Sequence, residues 1–136
     1  MRDKFIKNNK RGEINMKELT IVIGDRLGKG HNVAKGVEKA GGKAIVITGV
    51  GADMRLGDVM KAEGADLGIS FCGSGGAGAI TAQTKYGYKA QYGMRSIEEG
   101  ITAIQSGKEV LGFGFMDNEE LGEKLTVELL KRVVKN

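Results

Sequence analysis

A single cysteine lies in a stretch that is nearly free of side chains. The run Phe71-Cys72-Gly73-Ser74-Gly75-Gly76-Ala77-Gly78-Ala79 reads as a strand end, a glycine loop and a helix start. Glycine there lets a ligand approach the backbone closely. Free N–H groups at the helix start, aided by the helix dipole, form an anion site. Gly73, Ser74, Gly75 and Gly76 are therefore expected to cradle a phosphate or carboxylate, with Ser74 adding a hydroxyl. Cys72 is the candidate catalytic residue, because a nearby helix N-terminus favours its thiolate. The alternative is a tight glycine turn for packing, with Cys72 as a small buried apolar group.

Arg26, Lys29 and His31 follow the first apolar run, and Arg95 precedes Ser96. Arg26 and Arg95 are expected to help neutralise the anion, Arg95 in a position suited to bidentate contact. His31, the only histidine, is either a general acid or base or a helix-end surface residue. Gly24-Asp25-Arg26-Leu27-Gly28-Lys29-Gly30 is not a phosphate-binding P-loop: its glycines are one residue too close, and Gly30 stands where Ser or Thr is required. The dinucleotide fingerprint is also missing, and Val46-Ile47-Thr48 offers no acidic residue for a ribose. No cofactor is expected. One Cys and one His also give no reason to expect a metal site.

Five apolar runs must carry these residues: Leu19–Ile23, Ala44–Ile47, Asp66–Phe71, Tyr88–Tyr92 and Glu109–Phe113. Helical spacing follows each, over about 30–40, 54–63, 77–85, 96–104 and 117–135. Ser96 with Glu99, and Asp117 with Glu120, have the spacing of capping boxes. Regular alternation predicts a three-layer α/β/α, Rossmann-like fold of flavodoxin type with a five-stranded parallel sheet. Ligands of such sheets sit beyond the carboxyl ends of the strands. That selects the loops 24–30, 48–53, 72–76, 92–96 and 114–118, with Asp25, Arg26, Cys72, Ser74, Arg95 and Asp117 among their polar residues. Gly36, Gly100 and Gly122 fall inside helices, where close packing within the subunit is the expected reason.

Composition removes several classes. The 136 residues contain 23 Gly without a three-residue period, so the chain is not collagen-like. Apolar content of 40% is too high for disorder. No apolar stretch reaches the roughly 18–20 residues of a membrane span, and one cysteine suits a reducing cytoplasm. Most of the net charge of +4 belongs to residues 1–15, which carry five basic and two acidic side chains. The near-neutral remainder, with six of the seven aromatics, argues against nucleic acid as a partner. Residues 1–15 are expected to be a disordered leader, and 16–136 a single α/β domain. Arg11-Gly12-Glu13 can be encoded as a ribosome-binding sequence ahead of Met16, so the leader is either a mis-called extension or an ordinary tail.

At Ser70-Phe71-Cys72-Gly73-Ser74 the chain resembles the bacterial glycine-rich SFCGS family, and the resemblance extends from about Met16 to the end. Its members are associated with sugar-uptake operons that contain membrane proteins. The resemblance implies a cytoplasmic role in carbohydrate uptake or catabolism, with nearby membrane transport proteins as possible partners. Gly64–Ile69, Cys72–Gly75 and Ile80-Thr81-Ala82-Gln83 are more distantly similar to B-type ribose-5-phosphate and galactose-6-phosphate isomerases. That likeness implies Cys72 as the proton-transfer base, Ser74 in place of a Thr, Gln83 in place of an Asn, and a homo-oligomer. Asp25-Arg26 stands where that family has Asp-His. Its ring-opening His has no counterpart near Gln105-Ser106.

The first reading is a protein that binds a small anionic metabolite, a phosphorylated sugar or sugar acid, through residues 72–76 with Asp25, Arg26, Arg95 and Gln83. The second is an isomerase-like enzyme using Cys72. A third is an accessory component of a sugar transport or phosphotransferase-like system. In phosphotransferase subunits, however, the Cys follows the first strand, whereas Cys72 follows the third.

Overall fold

Apolar β-branched runs separated by amphipathic segments give a parallel sheet clad on both faces. The computed structural model describes residues 5–8 and 14–135. Strands β1 (Phe5–Asn8) and β2 (Ile14–Lys17) pair antiparallel, Phe5 opposite Lys17. The expected leader, 1–15, spans β1 and the first two residues of β2, and its residues 1–4 and 9–13 lie outside the described residues. Then follow β3 (Thr20–Asp25), α1 (Gly30–Lys39), β4 (Lys43–Ile47), a short 3-10 turn (Asp53–Arg55) and α2 (Leu56–Glu63). The chain continues through β5 (Leu67–Phe71), α3 (Ala77–Tyr86), β6 (Ala90–Met94), α4 (Ile97–Gln105), β7 (Val110–Phe113) and α5 (Glu119–Lys135).

The five-stranded sheet has the order β4-β3-β5-β7-β6, and every pairing in it is parallel. The three-layer α/β/α architecture is the expected one. The order of the last two strands differs from the flavodoxin order, because β7 inserts between β5 and β6. Side-chain chemistry explains the exchange. Val110-Leu111-Gly112-Phe113 is wholly buried and belongs in the middle of a sheet, whereas Ala90-Gln91-Tyr92-Gly93-Met94 buries only Met94 fully and suits an edge.

One face of the sheet packs with α1, α4 and α5 around Ile21, Ile23, Ile69, Phe71, Leu111 and Phe113. The other face packs with α2 and α3 around Val22, Leu56, Met60 and Val110. Helices α1 and α5 touch backbone to backbone. A Cβ on Gly36 would run into the Glu119 carbonyl, and one on Gly122 into the Val33 carbonyl. Gly100 makes room for Phe113 and Leu125, whose atoms lie 2.8 and 2.9 Å from where its Cβ would stand. Packing within the chain thus accounts for all three helical glycines.

The capping expectations separate. Ser96 Oγ accepts from the Glu99 N–H at 3.1 Å, and the Glu99 carboxylate accepts from the Arg95 N–H at 2.9 Å. At α5 the cap is Asn118, whose Oδ1 accepts from the Leu121 N–H at 2.9 Å. Asp117, the expected cap, turns elsewhere. Helix α5, at 17 residues, is too short and too charged to cross a bilayer, and no helix among the described residues is long and apolar enough to do so.

Candidate functional site

Strand β5 delivers Cys72 to the carboxyl end of the sheet. The Cys72 N–H donates to the Phe113 carbonyl at 3.3 Å, fixing it against β7. The Gly75 N–H donates back to the Cys72 carbonyl at 3.2 Å and closes the turn. Gly76 then takes φ +98°, in the left-handed region, where any Cβ would also strike Gly112 of β7. That bend aims the first amides of α3 back at the sulfur. Cys72 Sγ accepts from the N–H of Gly76 at 3.1 Å and of Ala77 at 3.2 Å, and lies 3.0 Å from Ser74 Oγ.

Cys72 is 2% exposed. Burial alone would push its thiol up. The Ser74 hydroxyl and the N–H groups of Ala77, Gly76 and Ser74 outweigh burial and hold it below the ordinary thiol value. The glycine loop turns the amides of Gly76 and Ala77 onto the chain's own sulfur. A thiolate so placed can act as a base or a nucleophile.

Beside it, β3 ends at Asp25, in register with Phe71 of β5. The Arg26 N–H donates to the Phe71 carbonyl at 3.0 Å, and the Arg26 side chain is exposed. Asp25 is 3% exposed, and its Oδ1 accepts from the Leu27 N–H at 2.7 Å. Its carboxyl also stands within hydrogen-bonding reach of Asp117. Burial, and then the Asp117 carboxyl, push Asp25 up to about 7, against the N–H groups of Leu27 and Lys29. Asp25, Arg26, His31 and Thr48 line a cleft of about 450 Å³ between the ends of β3 and β4. A second hollow of about 340 Å³ adjoins it, lined by Arg26, Asp53 and Met54.

Arg95 lies across Gly114, its Nη1 2.9 Å from where a Cβ there would stand, and so flanks the loop after β7. Gln83 is exposed on α3, beyond the helix start, with no described contact to the glycine loop. Two features escaped the sequence reading. Phe115 adopts φ +51°, is 65% exposed, and turns its ring onto Gly73. Asp117 was assigned to the helix cap and instead pairs with Asp25.

A family model described as "Glycine-rich SFCGS" matches residues 19–132. No curated protein matches the chain. Solved structures do. The type B ribose 5-phosphate isomerase of Trypanosoma brucei superposes with a TM-score of 0.65 at 16% identity, over 84% of this chain and 86% of that one. Ribose-5-phosphate isomerase B from Mycoplasma genitalium, solved with bound ribulose-5-phosphate, gives 0.63 at 18%, over 83% and 84%. The Clostridium thermocellum ribose-5-phosphate isomerase B gives 0.60 at 22%, again over 83% and 84%. At these identities the likeness establishes the fold, and it is the fold the distant resemblance implied.

Proposed function

We propose that this chain, which belongs to the glycine-rich SFCGS family, binds a small phosphorylated sugar or sugar acid at the carboxyl end of its sheet. The observation that carries this reading is the gathering of Asp25, Arg26, Cys72 and Arg95 on loops at one end of a single parallel sheet. Ligands of open α/β sheets sit there. The likeness to a structure solved with ribulose-5-phosphate supports the chemical class. Arg26 and Arg95, both exposed, are the groups we assign to the anionic end. The loop at Gly73, Ser74, Gly75 and Gly76 holds Cys72 and forms the floor of the site. Gln83 is assigned no more than a peripheral contact. A cytoplasmic role in carbohydrate uptake or catabolism, alongside membrane transport proteins, belongs to the same proposal, as does a homo-oligomer.

A second reading is favoured by the sulfur's surroundings. With its thiol held below the ordinary value, Cys72 is suited to take a proton from the carbon beside a carbonyl. The C–H electron pair would move toward the carbonyl carbon, leaving an enediolate. The thiol would then return its proton to the former carbonyl carbon while the hydroxyl proton of the first carbon passes to the former carbonyl oxygen, so the sugar is isomerised without gain or loss of atoms. No histidine takes the ring-opening position, since His31 is the only one. The fitting substrate is therefore already open. Ribulose 5-phosphate qualifies, because its phosphorylated terminal oxygen cannot close onto the carbonyl.

Thermal shift with ribulose 5-phosphate, ribose 5-phosphate and inorganic phosphate tests binding: a ligand at 100 times its Kd stabilises by about 2.7 kcal/mol. No shift with either sugar phosphate contradicts the binding reading. Exchange of carbon-bound protons in deuterated water tests the second reading, and binding without exchange contradicts it.

A further inference from the structure

Asp25 is an odd residue to offer an anionic ligand, since a free carboxylate would repel it. Its surroundings remove that conflict. The Oδ2 atoms of Asp25 and Asp117 are both buried, and neither has a hydrogen-bond donor among the described residues. The two carboxyls nevertheless stand within hydrogen-bonding reach of each other. Two buried carboxyls so close cannot both stay ionised, and one proton between them satisfies both.

The remaining neighbours do not supply a competing cation. From its own loop Asp25 receives the N–H groups of Leu27 and Lys29. Helix α1 brings Gly30, whose Cβ position lies 3.6 Å from Asp25 Cβ. Strand β4 brings Val46, Ile47 and Thr48 to the shared cleft, and β5 brings Phe71, followed by the Cys72 thiol. Arg26, Lys29 and His31 are exposed, and no ion pair joins them to Asp25 among the described residues. Asp25 itself lines the cleft of about 450 Å³.

We propose that Asp117 is a positioning residue that keeps a shared proton on Asp25, so that Asp25 meets the ligand as a hydrogen-bond donor to a neutral oxygen, a carbonyl or hydroxyl. The proton sharing stands on the two buried, partnerless Oδ2 atoms and on the interaction between the two carboxyls. The donor role rests on the ligand reading given above. Turning Asp117 away from the α5 cap, which Asn118 fills, is what makes it available to Asp25.

The full chain labelled with 13C-aspartate is titrated from pH 4 to 9, with Asp25 Cγ assigned through Asp25→Asn. The expected midpoint for Asp25 is within about one unit of 7 and falls by at least about one unit in Asp117→Asn, whose amide donates to the carboxylate. Asp117→Ala repeats the test if the amide spectrum shows Asp117→Asn unfolded. An Asp25 midpoint near 4, or one that neither variant moves, overturns the shared proton. Ribulose 5-phosphate affinity is then compared at pH 6 and 8.5. The native chain loses about tenfold or more relative to Asp25→Asn, because the protonated fraction falls from about nine-tenths to a few per cent. Equal pH dependence in both overturns the donor role. Absence of ribulose 5-phosphate binding at either pH overturns the ligand reading and the donor role with it, while a midpoint near 7 still upholds the shared proton.

Discussion

The Ser74 hydroxyl lies 3.0 Å from the Cys72 sulfur, on a loop whose Gly76 and Ala77 amides also point at that sulfur. The charge that this nest stabilises is the chain's own. Removing one donor should therefore change the thiol before it changes the fold. In Ser74→Ala the thiolate loses a hydrogen bond to a charged group, and such bonds contribute about 1.5–3 kcal/mol. The Cys72 midpoint should rise by about one to two pH units, read from thiolate absorbance at 240 nm against pH. A midpoint that stays in place shows that the backbone amides alone set it.

The contact of α1 with α5 reverses the ordinary preference for alanine in helices. Gly→Ala within an exposed helix stabilises by about 1 kcal/mol. In Gly36→Ala and Gly122→Ala the new methyl meets a backbone carbonyl of the facing helix, and overpacking of that kind costs about 1–3 kcal/mol. Both variants should melt below the native chain in a thermal scan. Higher melting temperatures would mean that the helices do not touch there.

Proton linkage through Asp25 has a definite sign. Its folded value of about 7 lies above the ordinary 3.8, so the folded chain holds a proton that the unfolded chain has lost between those values. That contribution is fully present below about 4 and is lost as pH rises to about 7, on the order of 1–3 kcal/mol. Asp58 works in the opposite sense and at lower pH, because Lys85 and then Tyr86 hold its carboxyl below the ordinary value. Urea denaturation at pH 4.5, 6 and 7.5 should show stability falling across the series, and Asp25→Asn should flatten it. A native profile that rises with pH contradicts the raised Asp25.

Neighbouring residues at the start of α5 have different duties. Asn118→Ala removes the cap on the Leu121 N–H and should cost about 1 kcal/mol. Asp117→Ala leaves that cap intact and should instead weaken the pH dependence assigned to Asp25, leaving the part that burial sets. If the two variants exchange these phenotypes, the cap belongs to Asp117 after all.

The alternation of strands and helices was legible because Ile21-Val22-Ile23 and Leu111 to Phe113 are runs that only a covered sheet can bury, each followed by helical spacing. The strand order was not read from the sequence: adjacency suggested the flavodoxin order, and the half-exposed β6 at the edge beside the wholly buried β7 departs from it. Cys72 and its glycine loop were located from composition alone. The direction of the loop's amides was not, because it depends on the left-handed turn at Gly76 and its approach to Gly112. The Asp25–Asp117 pair was hidden for a related reason. It joins the ends of β3 and β7 across β5, and a capping pattern gave Asp117 a sufficient local explanation.

Titration of ribulose 5-phosphate into 15N-labelled protein, followed by amide spectra, tests the ligand site most directly. Saturable shifts are expected at residues 25–31, 72–77 and 93–96, and they should weaken when Arg26 and Arg95 are both replaced by alanine. Shifts confined to other regions, or none at millimolar ligand, would contradict a sugar-phosphate site at the carboxyl end of the sheet.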